Sequence, residues 1–110
     1  MLQKKLNEAS VTDNEYLKNG AIKYYNQSDL LNIGQAFFDQ KTGASIAVSS
    51  ININREAFGV IHLPNKKSIP FKKIKPGHQW NYKYNGQKFS LIIMELNYVG
   101  GKYRVSLNEE

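Results

Sequence analysis

From Gly77 to Leu107 the chain reads GHQWNYKYNGQKFSLIIMELNYVGGKYRVSL, and apolar and polar side chains alternate through most of it. A period of two marks a half-buried strand, because successive side chains point to opposite faces of a sheet. Asn85-Gly86 interrupts the alternation with two residues that tolerate positive φ, which a two-residue type I′ turn requires. Around that turn Tyr84 falls opposite Gln87, Tyr82 opposite Phe89 and Trp80 opposite Leu91. One face of the predicted ribbon carries Trp80, Tyr82, Tyr84, Phe89, Leu91 and Ile93. The other carries Gln79, Asn81, Lys83, Lys88 and Ser90. After Ile93 the parity changes: Met94, Leu96 and Tyr98 are apolar, while Glu95 and Asn97 are polar. With Gly100-Gly101 as a second two-residue turn, Tyr98 would face Tyr103, Leu96 would face Val105 and Met94 would face Leu107. A flat sheet with one buried face cannot accommodate this change of side. It calls for a bulge near Ile92 to Glu95, a strand that passes from one sheet to another, or a helix covering the second face.

Upstream the pattern is weaker. Leu30 to Asp39, with Gly34 inside it, reads as a first strand, and Lys41-Thr42-Gly43 as a turn. Ala44 to Asn54 alternates through Ile46 and Val48, then slips by one position at Ser49-Ser50 before Ile51 and Ile53, so a second bulge is expected there. Asn54-Arg55-Glu56 is a turn. Ala57 to Leu63 and Ile69 to Ile74 are further strands, and Pro70 puts the latter at a sheet edge because proline cannot donate to a ladder. Residues 1–27 have a different rhythm. Leu2, Leu6 and Ala9 are at helical spacing. Thr12 with Glu15 resembles a capping box, and Tyr16, Leu17, Ala21, Tyr24 and Tyr25 follow along one side. The expectation is a mainly β fold: a small antiparallel β-sandwich or partly open barrel of six to seven strands over residues 28–110, after a short N-terminal helical arm at 1–27. Strand count and basicity resemble the oligonucleotide-binding barrel. The helix that barrel places between its third and fourth strands is missing, because Pro64 to Pro76 is proline-bounded and lysine-rich.

Charge sharpens this picture. The net charge is +6. Residues 1–63 are balanced, whereas residues 64–110 hold nine basic and three acidic side chains, so the whole excess lies in the second half. Lys66, Lys67, Lys72, Lys73 and Lys75 precede the first hairpin, and Lys83 and Lys88 share its polar face. Catalytic chemistry is harder to place. There is no cysteine, and His62 and His78 lack metal-ligand spacing, so no metal or cofactor is expected. Glu95, near Arg104 across the ladder, has no second acid, base or nucleophile readable beside it. Gly100-Gly101 opens no helix and so makes no phosphate loop.

These observations lead to a non-enzymatic protein-binding or assembly module: an accessory subunit, an inhibitor or immunity-type protein, or a component of a bacterial or phage machine. Its partner would be another protein or a second copy, with Leu2, Leu6, Tyr16 and Leu17 as candidate contacts on the arm. The alternative is a nucleic-acid-binding β-domain using the basic 66–88 region, namely Lys66, Lys67, Lys72, Lys73, Lys75, Lys83 and Lys88. A third reading, a small-ligand carrier, would use Trp80 and Tyr82 at a barrel mouth. No run approaches the ~20 apolar residues of a membrane helix, and no signal peptide is read at the start. Without cysteines a cytoplasmic location is the default, with a secreted or periplasmic chain as the other option.

Overall fold

The computed structural model describes residues 23–110. The arm positions Leu2, Leu6, Tyr16 and Leu17, and the Thr12–Glu15 capping box, lie outside them. The described chain is mainly β and builds two antiparallel sheets that pack into a sandwich. Its strands are β1 (Tyr25–Gln27), β2 (Leu31–Asn32), β3 (Ala36–Phe38), β4 (Ser45–Ile51), β5 (Ala57–His62), β6 (Ile69–Ile74), β7 (Gln79–Tyr84), β8 (Gln87–Asn97) and β9 (Lys102–Glu109). One sheet has the order β1-β9-β8-β7, with β2 also paired to β9; the other has the order β3-β4-β5-β6. No helix among the described residues is long and apolar enough to cross a membrane.

The first hairpin forms with the expected register, Tyr82 opposite Phe89 and Trp80 opposite Leu91. Asn85 and Gly86 both have positive φ, 51° and 78°. The change of parity is resolved by a bulge, with Ile93 paired to Val105 and Glu95 to Arg104, so Met94 is the extra residue. Phe89, Leu91 and Ile93 before it, and Leu96 after it, are all buried. The anticipated slip in β4 is likewise a bulge, with Ser49 unpaired between Val48 and Ser50. Pro70 is on β6, an edge strand, as expected.

Three expectations are corrected. The last turn is a four-residue loop, Tyr98 to Gly101, closed by Asn97 opposite Lys102, with Leu96 opposite Tyr103. Asn97 explains this: its side chain accepts from the Gly100 N–H at 2.9 Å and widens the loop. Tyr98 and Met94 are therefore exposed and do not face Tyr103 and Leu107. Leu30 to Asp39 is not one strand. It breaks at Gly34, whose φ of 91° suits glycine alone, and β2 pairs into one sheet while β3 pairs into the other. Finally, Tyr25–Gln27, assigned to the helical arm, is strand β1: it pairs with Ser106 to Asn108, and ladder pairing outweighs the helical spacing read for Tyr25.

The core lies between the sheets. Phe37, Ile46, Val48, Ile61 and Phe71 meet Tyr82, Phe89, Leu91, Ile93, Tyr103, Val105 and Leu107. Each fully buried large apolar side chain contributes roughly 1.5–3 kcal/mol. Tyr103 crosses the gap, its hydroxyl bonded to the Gln35 carbonyl of the opposite layer. Gly59 is fixed by packing: a Cβ there would strike the Ala47 carbonyl oxygen and lie 2.9 Å from the Phe71 ring.

Candidate functional site

The two ends of the sandwich differ in chemistry. At one end the β3–β4 turn, Asp39 to Gly43, is sealed by a polar knot. Asp39 is fully buried. Its carboxylate accepts from the Tyr24 hydroxyl, from Asn26 Nδ2 at 2.8 Å, and from Thr42 N and Oγ1 at 2.8 and 2.7 Å. The Thr42 hydroxyl has spent its proton on Asp39, so Tyr82, 2.9 Å away, donates to it. Burial alone would raise the Asp39 carboxyl; hydrogen bonds from Tyr24, Asn26 and Thr42 outweigh burial and hold it below the usual carboxylate range. Burial pushes the Tyr82 hydroxyl up to about 12, against the Thr42 hydrogen bond and with help from the Asp39 charge. Tyr24 is raised too, first by burial and then by its bond to Asp39. Lys41 caps the knot, its ammonium 4.4 Å from the centre of the Tyr24 ring. With its oxygens engaged and no exposed surface, Asp39 holds three strands together and is not placed to meet a substrate.

The opposite end is open. The β4–β5 and β8–β9 loops flank a groove of about 570 Å³ lined by Ile53, Arg55, Glu95, Leu96, Tyr98 and Val99. Ile53 is 75% exposed and Val99 94%, the two most exposed large apolar side chains among the described residues. Tyr98 and Met94 are about half exposed nearby. Leu96 is buried and forms the floor. Asn52 shapes one tip, its side-chain oxygen accepting from the N–H groups of Asn54 and Glu56, while Arg55 takes a positive φ of 57°. Both strands that lead into these tips carry a bulge a few residues earlier, at Ser49 and at Met94. Bulges bend a strand and re-aim the residues beyond the bend. On one wall Glu95 faces Arg104 at 4.0 Å, the only ion pair among the described residues. Arg55 therefore has no carboxylate partner among them.

The lysines singled out from the sequence, Lys66, Lys67, Lys72, Lys73, Lys75, Lys83 and Lys88, are all exposed. They lie on the edge strands of the two sheets, β6 and β7, with the adjoining turns and β8, and are not gathered in a pocket. Lys66 and Lys67 lie in the β5–β6 turn, Lys72 and Lys73 in a third bulge on edge strand β6, Lys75 just beyond it, and Lys83 directly opposite Lys88 on β7 and β8. The aromatics Trp80, Tyr82, Tyr84 and Phe89 point away from them, into the core or against it. Trp80 packs on Phe71 and His78, with ring centres 5.3 and 4.6 Å apart, and Tyr82 stacks on Phe89. Rings used this way close the interior and do not line a mouth for a small ligand. Among the described residues no three His, Cys, Asp or Glu gather to hold a metal ion.

Sequence reasoning misses the groove because alternation assigns Ile53 and Tyr98 to strands. The signals present in the chain are an isoleucine set between two asparagines, and a valine before two glycines. No family model, curated protein or solved structure matches the chain.

Proposed function

We propose that this protein is a non-enzymatic binding module that grips a segment of another protein in the groove between its β4–β5 and β8–β9 loops. The observation that carries this reading is the placement of Ile53 and Val99 in solvent on either side of a groove floored by Leu96. A stable monomer gains nothing from apolar loop tips in water, whereas an exposed apolar patch with a polar rim is a common mark of an interaction site. The anchor that fits is an apolar side chain between the tips. Arg55, without an acid of its own among the described residues, would pair with an acidic residue beside that anchor. The double variant Ile53→Asp and Val99→Asp tests this. Affinity capture and mass spectrometry should recover a partner with the parent chain and lose it with the variant, while circular dichroism and melting stay unchanged. A partner retained equally by both chains would remove the groove from the interface.

A further inference from the structure

The lysine side of the sandwich is independent of the groove. We infer that this flank, along β6 and across β7–β8, is an electrostatic surface for the backbone of duplex nucleic acid. No Asp or Glu occurs between Glu56 and Glu95, the stretch that builds all of β5, β6 and β7 and most of β8. Among the described residues, none of the seven lysines has a carboxylate within 4.0 Å. Lysine on an edge strand has an ordinary purpose, blocking edge-to-edge pairing, and Pro70 and the bulge on β6 serve that purpose already.

Two features exceed it. Lys88 is on β8, which has partners on both sides, so it protects no edge. It is directly opposite Lys83, a like-charge pair that opposes sheet formation. At the bulge Lys72 and Lys73 are adjacent, and Lys73 takes a φ of 54°, a conformation unfavourable for a side chain of its kind. The flank is thus self-repelling, and polyanion binding relieves the repulsion by neutralising it. The one carboxylate in the hollow beside Lys83 and Lys88 is Glu110, which is hydrogen-bonded to Ser90.

The side chains that accompany the lysines indicate the partner's chemistry. Cores of protein–protein interfaces are depleted in lysine and enriched in aromatics, and this flank presents few apolar side chains in the open, Val60 and Ile69 being the large ones. Single-stranded nucleic acid gains much of its affinity by stacking bases on exposed rings, and here the rings face inward. A duplex needs only cations spaced along a surface, and its affinity comes from counterion release. Strand β6, with lysines in the turns at both ends and in its middle, is about 20 Å long at ~3.3 Å per residue, enough to meet several phosphates.

Fluorescence anisotropy of the full chain with a 20-base-pair duplex, the matching single strand and poly-glutamate tests this. Duplex binding at 50 mM salt should weaken with a log–log salt slope of about −4, below the limit of about −6 for seven contacts. Lys72→Gln with Lys75→Gln should cost tenfold or more in affinity and lower the slope by about 2. Lys23→Gln with Lys102→Gln, the same charge change placed elsewhere, should have a much smaller effect. The inference is overturned if no duplex binds at 50 mM salt. It is equally overturned if both double variants weaken binding alike, or if the single strand or poly-glutamate binds as tightly as the duplex. Ile53→Asp with Val99→Asp should leave duplex binding intact, so this surface and the groove succeed or fail separately.

Discussion

The two ends of the sandwich solve the problem of a hairpin loop in opposite ways. At the Asp39 end the turn folds inward, and its buried polar atoms are satisfied partly within the turn, by Thr42, and partly by Tyr24, Asn26 and Tyr82 from other segments. At the Ile53–Val99 end the loops fold outward and leave apolar side chains in water. Loop position does not account for the contrast, since both ends are built from short antiparallel connections. The difference is what a buried carboxylate can do that a loop valine cannot. A carboxylate that loses water must be compensated by hydrogen bonds within the fold, so it pulls strands together. An exposed valine makes no such demand, and the fold does not supply a cover for it.

This contrast fixes an order of expected effects. Asp39→Ala is the largest. It strands the donors of Tyr24, Asn26 and Thr42, each left unsatisfied at roughly 1–3 kcal/mol, and partial access of water brings the total to about 3–5 kcal/mol. Chemical denaturation with circular dichroism would measure it. A loss under about 1 kcal/mol would show that the knot is ornamental to stability and that the two ends differ less than their geometry implies.

The acid limb of stability is next. Asp39 titrates lower in the fold than in the unfolded chain, so its contribution is complete above the ordinary carboxylate pKa of about 4 and is lost as pH falls below that value. Thermal melts from pH 6 to pH 2 should show a fall in Tm, confined to the region below about pH 4, that Asp39→Asn largely removes. At the other extreme, Tyr24 and Tyr82 titrate higher in the fold. Their contribution is complete below about pH 10 and fades as pH rises above it. Smallest of all is the effect of Ile53→Asp with Val99→Asp on stability, expected within about 0.5 kcal/mol because nothing in the fold packs over either side chain. A loss of 2 kcal/mol would mean the open end is covered in the free protein.

How much of this could be read from the chain differs between the same two regions. The Asn85-Gly86 hairpin was legible in full, because a turn that demands positive φ fixes the register and alternation fixes the faces. The bulges at Ser49 and Met94 were legible as slips in that alternation. The loop at Tyr98 to Gly101 was not, because Asn97 acts through its side chain, which a pattern of apolar and polar positions does not register. The Asp39 knot was invisible for a related reason. Its members come from three separate stretches, Tyr24 and Asn26, Asp39 and Thr42, and Tyr82, and only the packing of the sheets brings these stretches within hydrogen-bond reach. The groove shares this dependence, since no local rule says that the loop holding Ile53 and the loop holding Val99 emerge at the same end.

The bulge in β8 makes the chain unusually sensitive to its own length. Removing almost any residue of that strand would turn its remainder inside out, and an inserted residue would do the same. The two exposed residues of the bulge, Met94 and Glu95, are the exceptions: without Met94, for example, Ile93, Glu95 and Leu96 still alternate in, out, in. A chain shortened by Met94 should still fold, with a straighter strand and a Val99 tip aimed elsewhere. Deletion of one methionine would thus separate what the strand needs in order to fold from what it needs in order to point.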